Sequence, residues 1–472
     1  MIFGGFLEHF DDQVYGGVFD PGSPLADERG FRRDVIAALR ELKVSVIRWP
    51  GGCFVDSYHW RNGVGKERTP HGDFRWGVID PNTFGTHEFV EFCRRIGAEP
   101  YICLNGLAEP RENLDWVDYC NSTAGPLADA RAANGCPEPL NVRFWSVGNE
   151  RYDKAYIARV RDTAQAIKAR HPSLRITCAG SQDGGQLGAD LLEQAGDHLD
   201  YVSLHAYGLP RGNELPRFDY LTAVMKSEMP EAFMAAASDS LRKAGKGRLK
   251  IAFDEWNLRA WQHPGFPRDD VKDYASPEIR ELVGLRRNQN DVASQYTLAD
   301  ALFTASFLNA CLRHSNVLTM ANVAPLVNTR GPLFVHPQGI VRRTHFHALA
   351  MYADLLENRV GTAQVSSGRL PHDGNSVAVL DAVATVNDSG TEWAIAMVNR
   401  HPSDPLHCSV RIGDRPLDGV YKATVLTGES ADDFNDIEHP GRVVPEDVEL
   451  SFRDGVATLR PHSLSIVRVG VK

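Results

Sequence analysis

The chain has no long apolar run. Across 472 residues nothing approaches the ~20 consecutive apolar positions of a membrane helix, so no span is expected. The opening Met1-Ile2-Phe3-Gly4-Gly5 lacks a basic segment before an apolar core and soon meets Glu8 and Asp11. No secretory leader is therefore expected, and the cytoplasm is the expected compartment. Of the eight cysteines (53, 93, 103, 120, 136, 178, 311 and 408), no two stand as C-x-x-C, which speaks against a structural zinc site or a thioredoxin-like motif. Several, such as Cys93, lie inside apolar patterns where a free thiol behaves as a small hydrophobe. Positive charge is also scarce: 51 Lys and Arg against 61 Asp and Glu give −10, so neither nucleic acid nor an anionic membrane surface is an expected partner. No G-x-S-x-G elbow, Walker loop or G-x-G-x-x-G helix opening occurs.

What is there is a rhythm. The length exceeds one ordinary core and predicts two domains. Short β-rich runs occur at Ile2–His9, Val44–Gly51, Glu99–Asn105, Val142–Glu150, Arg175–Gly180, Tyr201–Tyr207, Lys250–Asn257 and Val317–Pro325. Between them the apolar residues take helical spacing: Phe31, Val35, Ile36, Leu39 and Leu42 after the first run, then Phe89, Phe92, Cys93 and Ile96. The same holds for Ala155 to Arg170 and Val292 to Leu312. Eight such units predict an α/β fold, a (β/α)8 TIM barrel over residues 1–355. A doubly wound open sheet is the alternative, but it lacks its glycine-rich turn here. Residues 356–472 change texture, with strand-like runs at Ser376–Thr385, Thr391–Arg400, Leu406–Ile412, Val420–Thr427 and Val456–Val469. These predict a C-terminal antiparallel β-sandwich domain, packed rigidly because no low-complexity linker intervenes.

Barrels keep their chemistry at the C-terminal strand ends, and here those ends are polar. They offer Glu8 and His9, Arg48, Asn105, Asn149 and Glu150, His205 and Tyr207, Asp254 to Asn257, and Asn322. Each has a bland reading. A glutamate after a strand can start a helix, Arg48 can be a structural pair, His205 a satisfied core histidine, and Tyr207 or Trp256 packing. Their coincidence on seven strand ends is costly unless a polar ligand is held there. With only His9 and His205 among them, a catalytic metal is not expected. Glu150 and Glu255, on the fourth and seventh runs, are the two carboxyl groups that glycosidic cleavage requires. Arg48 and Tyr207 suit the Glu255 side, holding it ionised, whereas Glu150 must begin protonated.

The motifs Gly4-Gly5-Phe6-Leu7-Glu8-His9-Phe10, Ile47-Arg48-Trp49-Pro50-Gly51-Gly52-Cys53-Phe54-Val55, Trp60-Arg61-Asn62-Gly63-Val64-Gly65, Trp145-Ser146-Val147-Gly148-Asn149-Glu150, Ser203-Leu204-His205-Ala206-Tyr207 and Phe253-Asp254-Glu255-Trp256-Asn257 run in one order along the barrel. In this the chain resembles the α-L-arabinofuranosidases of glycoside hydrolase family 51. The resemblance implies retention of configuration, no cofactor, an oligosaccharide substrate and a homo-oligomer, often a hexamer. It implies Glu150 as acid/base and Glu255 as nucleophile. It further implies that Glu8, Arg48, Cys53 and Asn149 contact the furanose or the carboxylates, with Asn149 on the 2-hydroxyl. Tyr207 would bind Glu255, His205 would support the pair, and Trp76 would line the leaving-group side with its aromatic face.

Three departures accompany the resemblance. Pro325 stands where the family usually has Gln before Leu-Val-Asn, which removes an amide donor. The loop Arg151-Tyr152-Asp153-Lys154 is short and lacks the usual Trp. The chain begins almost at the first barrel strand, whereas relatives carry an additional N-terminal strand joining the β domain. Arabinofuranosidase activity is the first expectation. A β-xylosidase, galactofuranosidase or endo-glucanase on the same scaffold is the alternative, and a non-catalytic sugar-binding barrel comes third.

Overall fold

The computed structural model describes residues 1–181, 184–209, 218–260 and 293–470, together with 276, 277 and 281. Eight parallel strands form one sheet: β1 (Gly4–Phe6), β2 (Val46–Trp49), β3 (Glu99–Leu104), β4 (Phe144–Val147), β5 (Arg175–Cys178), β6 (Tyr201–Leu209), β7 (Lys250–Arg259) and β8 (Leu318–Val323). Their order is β5-β4-β3-β2-β1-β8-β7-β6. A parallel bridge between Ala179 and Ser203, with Gly180 N donating to Ser203 O at 3.1 Å, joins the two ends and closes the barrel. All eight predicted runs are strands here. They are legible because strands covered on both faces read as continuous apolar runs.

The outer helices bury the faces their spacing dictates. Helix α1 (Arg33–Glu41) buries Val35, Ile36, Ala38 and Leu39, and α2 (Thr86–Ile96) buries Phe89, Phe92, Cys93 and Ile96 before stopping at Gly97, whose φ is +84°. Helix α3 (Lys154–Arg170) starts on Asp153, whose side chain accepts from Tyr156 N. Helix α4 (Leu298–Arg313) is different, for every residue from Leu298 to Cys311 is buried. A helix apolar all round must be covered all round. The predicted start of this helix, Val292, lies outside the described residues.

What covers the far side of α4 is the C-terminal sheet. After α5 (Thr344–Leu355) come β9 (Leu380–Val386), β10 (Glu392–Asn399), β11 (Gly419–Leu426), β12 (Glu446–Phe452) and β13 (Ser463–Gly470). They form an antiparallel sheet in the order β9-β10-β13-β11-β12. Alternation splits it: Ala394, Ala396, Val398, Leu464 and Ile466 join the barrel core, while Ile395, Met397, Val467 and Val469 build a second core beneath the pair Leu406–Ser409 and Val456–Leu459. Polar bonds fix the joint. Asp381 of β9 accepts from Asn309 at 3.1 Å and Arg313 at 2.8 Å, and Arg400 reaches Ser306 at 2.8 Å.

Three predicted runs are each two elements, Leu406–Ile412 dividing into Leu406–Ser409 and Arg411–Ile412. Ser376–Thr385 divides into Asn375–Ala378 and β9, and Val456–Val469 divides at Pro461. Strand β12 was not among the predicted runs. Val448, Leu450 and Phe452 alternate along it and face the second core, but Glu446, Asp447, Glu449 and Ser451 between them are exposed and leave only a short, one-sided apolar pattern.

Candidate active site

Glu150 follows β4 in the turn Gly148-Asn149-Glu150. Gly148 has φ +68°, and a Cβ there would lie 2.7 Å from the Tyr156 ring and 3.0 Å from Gly106 Cα. Only glycine fits. Glu150 itself sits at φ +39°, in the left-handed region that costs a side-chain-bearing residue energy and that clusters at functional sites.

Glu255 is aimed by an irregular strand. Between β6 and β7 the register passes from Ser203–Ala252 to His205–Glu255, two residues against three, and β8 shows a matching shift between Ala321–Phe253 and Val323–Trp256. The extra residue makes a bulge in β7, a device found at barrel rims beside active sites. Regular alternation would send neighbouring side chains to opposite faces. The bulge instead turns both Asp254 and Glu255 toward Arg48.

Arg48 is the hub. Its Nη1 donates to Glu255 Oε1 at 2.6 Å and its Nη2 to Asn149 Oδ1 at 2.8 Å, while its Nε lies 3.5 Å from Asp254 Oδ2. Tyr207 OH donates to Glu255 Oε2 at 2.7 Å. His205 Nδ1 is 3.0 Å from Glu150 Oε1 and 3.5 Å from Glu255 Oε2, and its Nε2 is 3.3 Å from Asp254 Oδ1. Asp254 also accepts from Tyr101 at 2.7 Å and from Ser203. One donor or acceptor atom each from Glu150, His205 and Glu255 fall within 4.8 Å of one another. The two glutamates therefore face each other at close range.

A second group flanks this one. Glu8 is wholly buried, its Oε1 accepting from Phe54 N at 2.8 Å and from the Trp76 indole at 2.9 Å. Gly51, at φ +144°, leaves it room, since a Cβ there would meet Glu8 Cγ at 2.2 Å. Cys53 Sγ lies 3.6 Å from Asn149 Nδ2. Trp76 departs from the expectation of an open stacking face. It is 3% exposed, with Phe10 stacked on it at 3.8 Å, so what it contributes is its N–H to Glu8.

Other polar strand ends turn away from the pair. Asn105 caps its own loop, accepting from Leu107 N at 2.8 Å and Ala108 N at 3.1 Å and donating to Tyr58 O at 3.2 Å. His9 bridges Trp49 Nε1 at 2.7 Å and Asp80 at 3.0 Å. Asn257 donates to the carbonyls of Ala324 and Arg330, and Asn322 to that of Gly5. The three asparagines satisfy backbone groups that barrel closure buries, while His9 joins two side chains.

The electrostatics follow from crowding. Burial works against charge on His205, but the charge of Glu255 and the bonds to Asp254 and Glu150 outweigh it and raise its pKa to about 10. Burial also opposes ionisation of Asp254, yet Arg48, His205 and Ser203 bring it down to about 2. For Glu8 burial prevails over its donors Phe54 and Trp76, and Glu255 adds to it, so the carboxyl rises to about 8. The Glu150, His205, Glu255 trio has the spacing of a metal site. Both ring nitrogens of His205 face carboxylate oxygens, Nδ1 on Glu150 and Nε2 beside Asp254. Asp254 was named among the polar strand ends and Arg151 in the loop after Glu150, but neither was given a role, and Arg75 was not named.

Comparison with known proteins places the chain in a family. The family model of the α-L-arabinofuranosidase 1 domain matches residues 38–226, and that of the α-L-arabinofuranosidase C-terminal domain matches 254–463. An α-L-arabinofuranosidase C of Emericella nidulans is 33% identical, over 91% of this chain and 86% of its own. An intracellular exo-α-(1→5)-L-arabinofuranosidase of Streptomyces lividans is 30% identical, over 99% of this chain and 72% of its own. The crystal structure of the α-L-arabinofuranosidase from Thermotoga maritima in its arabinose complex superposes with a TM-score of 0.83 at 30% identity, over 100% of this chain and 96% of that one. A barrel closed around two facing glutamates, joined to its β-sandwich and matched along nearly all its length, belongs to the α-L-arabinofuranosidases of glycoside hydrolase family 51 and is a glycoside hydrolase.

Proposed function

We propose that this protein is a retaining, exo-acting α-L-arabinofuranosidase that releases terminal arabinofuranosyl residues from arabinan- and arabinoxylan-type oligosaccharides. The observation that carries the reading is the pair itself: Glu150 and Glu255 offer carboxylate oxygens within 4.8 Å of each other. That closeness suits the ~5–5.5 Å of a retaining pair better than the ~6.5–9.5 Å that leaves room for water between carboxyl groups. Glu255 is the nucleophile. Arg48 and Tyr207 hold its two oxygens separately, fixing the carboxylate for attack on the anomeric carbon. Glu150 gives its proton to the leaving oxygen, then draws a proton from the water that cleaves the glycosyl-enzyme. His205 bridges both stages, since its cation sits beside whichever glutamate is ionised.

Asn149, Cys53 and Glu8 are assigned to the furanose hydroxyls and Arg48 to the carboxylates, with Asn149 on the 2-hydroxyl, where a contact strengthens in the transition state. The end of α5 at Leu355 supports a catalytic unit of residues 1–355 and a sandwich unit of 356–472. The intracellular relative in Streptomyces lividans supports cytoplasmic placement, where imported oligosaccharides would be the substrate. Assembly as a homo-oligomer, a hexamer by family resemblance, is checked by light scattering.

A panel of nitrophenyl glycosides tests the sugar, and proton NMR of the first-formed anomer tests retention. Turnover of α-L-arabinofuranoside with retention is expected. Activity confined to a pyranoside would overturn the reading.

A further inference from the structure

Beside Glu150 lies a charge cluster that the reaction scheme does not use. Asp56 is buried behind Cys53, and both of its oxygens are taken by Arg151, from Nε at 3.2 Å and Nη2 at 2.8 Å. One arginine in this fork geometry satisfies one carboxylate. A second is nevertheless present. Arg75 Nε stands 3.8 Å from Asp56 without a hydrogen bond, and its Nη2 reaches only the thiol of Cys53 at 3.4 Å. Asp73, the other carboxylate near Arg75, is engaged by Ser57 and by the backbone N–H groups of Arg75 and Trp76. Two guanidinium groups thus share one ion-paired carboxylate, and both stay open to solvent, at 29% and 26% of their side-chain surface.

Their position gives this surplus a meaning. Arg151 follows Glu150 directly, and Arg75 adjoins Cys53, which contacts Asn149. A sugar held between Glu150 and Glu255 departs from its leaving group on the Glu150 side, toward the open rim these arginines line. We propose that Arg75 and Arg151 recognise a carboxylate on the leaving group, so that beside arabinan- and arabinoxylan-type oligosaccharides the site also takes an arabinofuranosyl residue carried on a uronic acid. This rests on the arabinofuranosidase reading above. Arginine rather than lysine suits the task, because its planar fork matches a carboxylate.

The test compares an arabinofuranosyl uronic acid disaccharide with its methyl ester, which has the same leaving oxygen and no charge. At low salt kcat/KM is expected to favour the acid by about tenfold or more, the size of one charge-assisted hydrogen bond. The ratio should fall toward one in high salt and in the double variant Arg75→Gln, Arg151→Gln. Because loss of Arg151 leaves Asp56 buried without its partner, Arg75→Gln alone is the second variant and should lower the ratio in a chain that retains that pair. Equal rates on acid and ester in the unaltered enzyme, or a ratio that persists in Arg75→Gln and the double variant, would overturn the inference. Hydrolysis of neither compound would instead count against the arabinofuranosidase reading, and the inference would fall with it.

Discussion

His205 and Glu150 are bound to each other, Nδ1 to Oε1 at 3.0 Å, although their strands are not neighbours in the barrel sheet. The imidazole thereby links the fourth strand end to the seventh, since Glu255 lies 3.5 Å from the same nitrogen. Its charge is the consequence of that position.

The first prediction concerns that charge. With its pKa raised to about 10, His205 binds its proton more tightly folded than unfolded, where 6.5 is ordinary. The stability it contributes is fully present below about 6.5 and is lost as pH rises through about 10. Thermal melts of the His205→Asn variant should fall furthest below those of the unaltered protein at pH 6 and converge with them near pH 10. A constant gap across that range would show that His205 acts by packing alone.

Asp254 titrates the other way. Its folded pKa of about 2 lies below the ordinary 3.8, so its contribution is present above 3.8 and disappears as pH falls through 2. Asp254→Asn leaves Arg48 and His205 without a shared counter-charge and should cost roughly 3 kcal/mol near neutrality. Urea denaturation at pH 7 measures this. A loss below about 0.5 kcal/mol, ordinary for a surface site, would contradict the role assigned here.

Glu8, raised to about 8 by burial, is held as a neutral acid at pH 6. Its protonated form favours the fold below about 4.5, and that advantage is lost as pH rises through 8. Glu8→Gln, uncharged at every pH, should flatten the decline in melting temperature between pH 6 and 9. If both proteins decline in parallel, some other group titrates there.

The two facing glutamates should fail differently. Glu255→Ala should lower kcat by at least about 10⁴-fold on every substrate, the upper end of a general-acid loss. Glu150→Ala should lose about 10²–10⁴-fold on sugar leaving groups, far less on nitrophenolate, and recover in part with azide. Equal losses on good and poor leaving groups would remove Glu150 from its acid role.

Much of this was legible in the sequence because barrel physics writes it there. Doubly covered strands are apolar throughout, and the polar residues that close them, Arg48, Glu150, His205 and Glu255, mark the mouth. Less legible was which polar ends face inward. An asparagine that binds sugar and one that caps a loop look alike, and Asn105 proved to hold Leu107 and Ala108. Asp254 stood among the polar ends, but alternation sends it to the opposite face from Glu255, and only the bulge in β7 turns both to one side. The Asp56 cluster joins residues 56, 75 and 151 through loops whose course no local pattern specifies.

Helix α4, buried along both its flanks, has a further consequence for the whole chain. Because Ala394, Ala396, Leu464 and Ile466 complete the same apolar interior as the barrel, neither half has a finished surface of its own. Heating should yield one calorimetric peak rather than two. A chain clipped before Leu380 would present α4 to water as a sticky flank, prone to aggregate. The sandwich thus sets how well the catalytic half stays folded and free of aggregation.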